Sequence, residues 1–261
     1  MFKKPFYEVE IKTTGCTIEL SVNDCYSFSN NQPGGLGVDW PINEFILESG
    51  IQYIKFKVLP FDTKPIIKLA NIQLNIYERE VNGDIIPRVL VHSYNSESIF
   101  SDKELYYYEN EFAFTATVPY KMNGWKTSVN LRKESDEYLF QELFKWNKKL
   151  FQIFKTMDSK EYLNITQERY QDIVISNYFT EQEKHQTIQS VFAGVSSEIN
   201  FMPANYYKLC FYGDGKLVGL KSLKYPPGFF YEAIDRHKGN DFYESMLFHK
   251  KNSKSDLSII R

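Results

Sequence analysis

The first half of the chain consists largely of short segments in which apolar and polar residues alternate. Apolar side chains recur at every second position over 7–11, 16–22, 54–58, 70–76 and 112–118. Alternation over such short segments is typical of half-buried strands, with one side on a core and the other in water. Asn23-Asp24 and Asn82-Gly83 have the composition of tight turns between strands. This half is therefore predicted to be an antiparallel β-sandwich.

The middle of the chain changes to a helical period. Ser135 is the predicted N-cap of a long helix, and Trp146 is predicted to be buried at the centre of its apolar face. A second helix is predicted over 160–177, and the capping-box pattern that starts at Thr180 predicts a third, ending at Gly194. The face of the long helix carries apolar residues at spacings of three and four: Leu139, Leu143, Trp146, Leu150, Ile153 and Met157.

Strand patterns return after the helices. Alternating residues on either side of Gly213-Asp214-Gly215 predict a hairpin, and further short strands are predicted up to the last residues. The predicted fold class is therefore α+β, with an N-terminal antiparallel β-sandwich, a helical segment and a C-terminal antiparallel β-sheet. We predict a β-sandwich domain over 1–132 and an α+β domain over 133–261, with helices over about 136–193 and strands over about 205–261.

Composition and charge narrow the classes of function. Aromatic residues make up 16% of the chain, which fits a β-rich protein with a bulky core. The formal charge is −2 and the basic runs are short, so no nucleic-acid partner is predicted. No stretch approaches the roughly 18 apolar residues of a membrane span, and residues 6–12 do not form the apolar core of a signal peptide. A soluble, cytoplasmic protein without a membrane partner is the resulting expectation.

Residues with catalytic potential are scattered. The glycine-rich stretch 33–37 lacks the lysine and hydroxyl residue of a phosphate loop, and Ser196 lacks the second glycine of a nucleophile elbow. The four histidines and three cysteines show no metal-ligand spacing, and Cys16 and Cys25 are interpreted as buried thiols, with a disulfide across a hairpin as the alternative. We therefore predict no catalytic residue, no metal and no cofactor, and hence a protein that is not an enzyme.

Two regions suit contact with another molecule better than they suit catalysis. Tyr106, Tyr107 and Tyr108 are consecutive, so they cannot all face the core of a strand, and Glu109 and Glu111 follow them on one strand face. Tyrosine is favoured at protein interfaces because it supplies contact area with few rotatable bonds. Because side chains alternate along a strand, Tyr106 and Tyr108 should behave alike and Tyr107 oppositely. The alternative places the extra tyrosine on a second buried face or in a local helix.

The second region is Trp40-Pro41, beside the glycine-rich stretch. The residues Trp40-Pro41-Ile42-Asn43, together with Ser49-Gly50 and Lys57-Val58-Leu59-Pro60, resemble uncharacterised β-rich accessory proteins of Gram-negative bacteria, as do Tyr212 to Leu217 and the last five residues. Some proteins of this kind are immunity or adaptor partners of secreted toxins, so the resemblance implies a protein partner.

The hypothesis from the sequence is therefore a non-enzymatic binding protein, most concretely an immunity-type partner that neutralises a bacterial toxin by surface contact. Its predicted binding residues are Tyr106, Tyr107, Tyr108, Glu109, Glu111 and Trp40. Two alternatives remain open: a carbohydrate-binding β-sandwich module, and an enzyme whose site is assembled from dispersed residues.

Overall fold

The computed structural model describes residues 2–61, 67, 69–81, 87–96, 104–195, 198–222, 226–234 and 240–261. It has an α+β fold, as predicted. Contacts between Cα atoms divide the chain into two units, Met1–Met122 with Ser176–Tyr178, and Asn123–Ile175 with Phe179–Arg261. The domain limits of 1–132 and 133–261 remain a prediction.

The first unit contains two four-stranded antiparallel sheets. The first sheet has the strand order β4-β1-β6-β7, and the second sheet has the order β3-β2-β5-β8. Ring contacts join them face to face, with centroid distances of 4.9 Å for Phe28–Trp40 and 5.0 Å for Phe56–Tyr94. This is the predicted sandwich. Its strands are β1 (Pro5–Thr14), β2 (Ile18–Val22), β3 (Cys25–Asn30), β4 (Leu36–Pro41), β5 (Gly50–Val58), β6 (Asn71–Glu80), β7 (Val89–Asn95) and β8 (Tyr108–Ala116).

The turns of the first unit show where the sequence reasoning succeeded. Asn23 and Asp24 both have positive φ, at 51° and 57°, and join β2 to β3 as predicted. The glycine-rich stretch is only partly a loop, because Leu36 and Gly37 already belong to β4. The predicted Asn82-Gly83 turn lies outside the described residues.

The second unit combines helices with two antiparallel sheets, ordered β10-β11-β14-β15 and β13-β12-β9. The predicted hairpin is present, with β10 and β11 on either side of Gly213–Gly215. The helices are α1 (Asp136–Thr156), α2 (Ser159–Ile165), α3 (Gln167–Asn177) and α4 (Glu181–Ala193); the strands are β9 (Ile199–Phe201), β10 (Lys208–Tyr212), β11 (Leu217–Lys221), β12 (Gly228–Ala233), β13 (Phe242–Ser245), β14 (Phe248–His249) and β15 (Ser258–Ile259).

The helix caps follow the sequence signals. The Ser135 hydroxyl accepts a hydrogen bond from the Tyr138 amide, and Thr180 and Glu183 form the complete capping box. The single helix predicted over 160–177 is wrong, because the chain forms two helices with Thr166 between them. The Thr166 hydroxyl donates to the Tyr162 carbonyl at 2.6 Å, and this local bond competes with continuation of the helix.

Burial on α1 differs from the prediction at its centre. Asn147 is fully buried, whereas Trp146 is only half-buried, with its ring 5.6 Å from that of Phe248. The buried stripe of α1 consists of Leu139, Leu143, Asn147, Leu150, Ile153 and Phe154. Trp146 therefore flanks this stripe, because the helical register gives the central position to its polar neighbour.

Candidate protein-contact surface

The outer face of the second sheet carries exposed apolar and charged side chains from β5 and β8. Every second residue of these strands faces outward, and the antiparallel register places Lys55 opposite Glu111 and Lys57 opposite Glu109. Ile51 and Tyr53 of β5, and Leu59 directly after it, are exposed large hydrophobic residues in the same alternating series. We define the contact surface as the side chains of Tyr53, Lys55, Lys57, Leu59, Tyr106, Tyr107, Glu109 and Glu111.

The three consecutive tyrosines have different environments. Tyr106 is 74% exposed and Tyr107 is 47% exposed. Tyr108 is the first residue of β8 and points into the sandwich, where its hydroxyl lies 2.9 Å from that of Tyr94. The prediction that at least one tyrosine is exposed is confirmed. The expectation that Tyr106 and Tyr108 behave alike is wrong, because the strand begins after Tyr106.

Electrostatic contacts hold Tyr107 on the contact surface. The Glu109 carboxylate forms an ion pair with Lys55 and accepts a hydrogen bond from the Tyr107 hydroxyl. These bonds, from Lys55 first and then Tyr107, lower the pKa of Glu109, while the bond to Glu109 raises the pKa of Lys55. Partial burial and the bond to Glu109 raise the pKa of Tyr107 to about 12. The surface therefore carries an ionised carboxylate and a neutral, donating phenol at neutral pH.

Trp40 does not join this surface. It lies half-buried on β4, with its ring 4.9 Å from that of Phe28 on β3. Strand β4 ends the first sheet at the side of β3, whereas Tyr108 belongs to β8, which ends the second sheet at the other side. The structure therefore places Trp40 across the sandwich from the tyrosines. Asp102, which belongs to the same stretch of sequence, lies outside the described residues.

The outer face of the first sheet carries a charged cluster that the sequence reasoning missed. The Arg88 guanidinium lies 3.2 Å from Glu8, 3.1 Å from Glu10 and 2.9 Å from Asp39, and 3.9 Å from the ring centroid of Tyr77. We call these five residues the Arg88 cluster. Glu8 is only 6% exposed, although it lies on an outward-facing position. Arg88 is distant in sequence from its partners, so no local pattern identified it.

A serine, a histidine and a glutamate also come together in the second unit, from residues far apart in sequence. The Ser128 hydroxyl lies 2.7 Å from Nδ1 of His249, and Nε2 of His249 lies 3.4 Å from Glu168, which pairs with Lys251 at 2.8 Å. Burial acts to raise the pKa of Glu168, but the bonds from His249 and Lys251 outweigh it and lower this pKa. The order of groups is that of a hydrolase triad.

Burial weighs against a catalytic role for this chain of groups. Ser128 is 7% exposed and His249 is 1% exposed, and Nε2 of His249 is buried and does not make a well-formed hydrogen bond to Glu168. A nucleophilic serine needs space beside its hydroxyl for a substrate carbonyl and for donors to the developing oxyanion. The three residues are better explained as a polar chain that links α3, β14 and the turn before α1 inside the second unit.

Searches of protein-family models, curated proteins and solved structures return no match to this chain. Across the described residues, no three histidine, cysteine, aspartate or glutamate side chains are grouped so that they could hold a metal ion. Within the same residues, every helix is too short or too polar to cross a membrane. Cys16 and Cys25 are both buried thiols, and burial raises the pKa of Cys16 to about 11.

Proposed function

We propose that the protein is a cytoplasmic, non-enzymatic binding protein that uses the contact surface to bind another protein. The observation that carries this proposal is the exposure of Tyr106 and Tyr107, at 74% and 47%, beside the Lys55–Glu109 ion pair on a sheet face. Exposed tyrosines lose little conformational entropy on binding and bury large areas, so they often contribute strongly to binding energy.

The ion pair adds pre-organisation to this surface. Lys55 holds Glu109, and Glu109 accepts the hydrogen bond of Tyr107, so the Tyr107 ring is fixed before a partner arrives. A side chain that is already ordered costs less entropy on association than a free one. Tyr106 precedes β8, and its side chain is more exposed than that of Tyr107, so a partner can cover it.

The narrower proposal is an immunity-type role, in which the protein neutralises a bacterial toxin by covering part of it. It is supported by the resemblance of the Trp40-Pro41-Ile42-Asn43 segment to accessory proteins of Gram-negative bacteria. Neutralisation by contact requires a stable interface and no chemistry on the part of the inhibitor. The contact surface fits this requirement.

The test is a pull-down from cells of the source organism, followed by calorimetry with the captured protein. Tyr106→Ala and Tyr107→Ala should each weaken binding by more than about 1 kcal/mol and leave the melting temperature nearly unchanged. Tyr138→Ala is the matched control, because Tyr138 is also exposed but lies on α1 of the second unit. Equal binding by all three variants would refute the role of this surface, whereas capture of a toxin would support the narrower proposal.

A carbohydrate-binding module would require exposed aromatic rings that form a continuous platform. Tyr53 and Tyr107 lie on the same outer face, but the Lys55–Glu109 ion pair lies between them. Six residues of strand, or about 20 Å, separate the positions of Tyr53 and Leu59 at the two ends of this face. The arrangement therefore favours a protein partner, and a glycan array is expected to show no binding that Tyr107→Ala abolishes.

An enzyme assembled from dispersed residues has one specific observation in its favour, the Ser128–His249–Glu168 chain. A fluorophosphonate probe reacts with serines that are activated by a histidine and open to solvent. Because Ser128 is buried, we expect no labelling that Ser128→Ala removes. Stoichiometric labelling lost in Ser128→Ala would establish a hydrolytic site and overturn the non-enzymatic proposal.

A further inference from the structure

The Arg88 cluster shows how this protein binds a guanidinium group. Arg88 stacks on Tyr77 with its carbon 3.9 Å from the ring centroid and bonds three carboxylates around its edge. Guanidinium groups combine these two contacts well, because their faces stack on aromatic rings while their planar N–H groups meet carboxylates. The cluster is thus a set of acidic and aromatic groups that contains its own cation.

The contact surface presents the same kinds of groups without an arginine among them. Tyr106 and Tyr107 supply exposed rings, and Glu109 and Glu111 supply carboxylates on the same face. Glu109 pairs with Lys55 and accepts from the Tyr107 hydroxyl, whereas Glu111 is exposed at the next outward position, opposite Lys55, with which it interacts electrostatically. Glu19 lies on the neighbouring strand opposite Lys57, so three carboxylates face two lysines.

The spacing along β8 allows one arginine to reach both kinds of group. Outward-facing residues two apart on a strand lie about 7 Å from each other. The Tyr107 hydroxyl bonds Glu109, so its ring lies along the strand in the direction of Glu111. A guanidinium stacked on the far part of this ring is therefore within one such step of the Glu111 carboxylate.

We propose that the contact surface binds an arginine side chain of the partner protein, with the guanidinium stacked on Tyr107 and its N–H groups bonded to Glu111. This inference rests on the proposed function and identifies the chemistry of its partner. Arginine is preferred over lysine because an ammonium group can neutralise Glu111 but lacks the planar fork and the stacking face.

The inference is tested on the full chain by NMR titration with three blocked tripeptides, in which glycine flanks arginine, lysine or citrulline. The arginine peptide should shift the resonances of Tyr107 and Glu111 saturably, with an affinity about threefold to tenfold higher than that of the lysine peptide. Citrulline has a similar shape without the charge and should produce no saturable shift. Equal responses to arginine and lysine, or no response to arginine, would overturn the inference.

Two variants test which carboxylate binds the arginine peptide. Glu111→Gln should weaken binding of the arginine peptide by about threefold to tenfold, whereas Glu181→Gln, the same change at an exposed position of α4, should not weaken it. Both positions are exposed, so melting curves should stay close to that of the parent. If Tyr107→Ala abolishes partner binding but Glu111→Gln retains it fully, the proposed function stands and the arginine inference fails. If neither variant affects the partner, the proposed function fails first.

Discussion

The two outer faces of the sandwich carry similar types of residue, but these residues have different partners. On the first sheet, Arg88 reaches three carboxylates and a tyrosine ring, and Glu8 is left only 6% exposed. On the second sheet, Tyr107 and Glu111 remain exposed beside the Lys55–Glu109 pair. The residue types are nearly the same. What differs is whether the chain itself supplies the arginine.

This difference changes what each set of charges contributes. Removing one partner from a buried pair leaves an uncompensated charge and costs several kcal/mol, whereas exposed pairs contribute little to stability. Exposed charges act instead on the rate and specificity of association. The first face is therefore expected to stabilise the fold, and the second to select a partner.

We expect the largest effect on the free energy of unfolding from removing the Arg88 side chain. Arg88→Ala removes the hydrogen bonds to Glu8, Glu10 and Asp39, but Arg79 still pairs with Glu8 and Lys12 with Glu10, so the free energy of unfolding should fall by about 2–3 kcal/mol. The control is Lys12→Ala, since Lys12 pairs with Glu10 at 3.0 Å from an exposed position and should cost less than about 1 kcal/mol. Urea denaturation followed by circular dichroism measures both. Equal costs would mean that Arg88 contributes no more to stability than one exposed ion pair.

An intermediate effect should separate the adjacent tyrosines. Tyr108 contacts Tyr94 and Phe56 inside the sandwich, so Tyr108→Ala should cost about 2 kcal/mol, less than full truncation of a completely buried ring. Tyr106→Ala should change stability by less than about 0.5 kcal/mol, because its ring is in solvent. Thermal unfolding of the two variants provides the measurement. A destabilised Tyr106→Ala protein would show that Tyr106 is a core residue and not a contact residue.

The smallest effect should be the pH dependence of the Lys55–Glu109 pair. The folded-state pKa of Glu109 lies below its usual 4.5, so the pair stabilises the protein above that pH and its contribution is lost as the pH falls through the lowered value. The pKa of Lys55 is raised above 10.5, so deprotonation of this group removes the pair only in strongly alkaline solution. Glu109→Gln should flatten the acid limb of the stability curve by less than about 1 kcal/mol. An unchanged acid limb would argue that the pair does not form in solution.

Much of the fold was predictable because local chemistry determines it. The sequence alone identified Ser135 and Thr180 as N-caps, because their hydroxyls accept hydrogen bonds from the first turn of the helix. It also identified the Asn23-Asp24 turn, because these residue types tolerate positive φ angles. Strands β3, β4 and β7 were not identified: the residues of β4 alternate but none is fully buried, β7 also has no fully buried residue, and β3 is buried only over its first half. The burial of Asn147 was missed because the helical register places position 147 on the buried face, whereas the polarity of asparagine predicts an exposed side chain.

The candidate site was predictable only where it is continuous in sequence. Tyr106, Tyr107, Glu109 and Glu111 could be identified together because they share one strand and its approach. Arg88 and the Ser128–His249–Glu168 chain depend on pairings between distant segments, which no local pattern encodes. Lys55 could not be matched to Glu109 without the register of β5 on β8.

The position of β8 at the end of the second sheet also affects how the protein avoids aggregation. A terminal strand presents unpaired amides that can template the addition of further strands, as in cross-β fibrils. Here the Asn110 side chain accepts a hydrogen bond from the Glu111 amide at 2.9 Å, and Glu109 and Glu111 place charges along the same strand. The carboxylates that we propose select a partner thus also act as gatekeepers, and protonating them in acid would remove this protection against fibril growth.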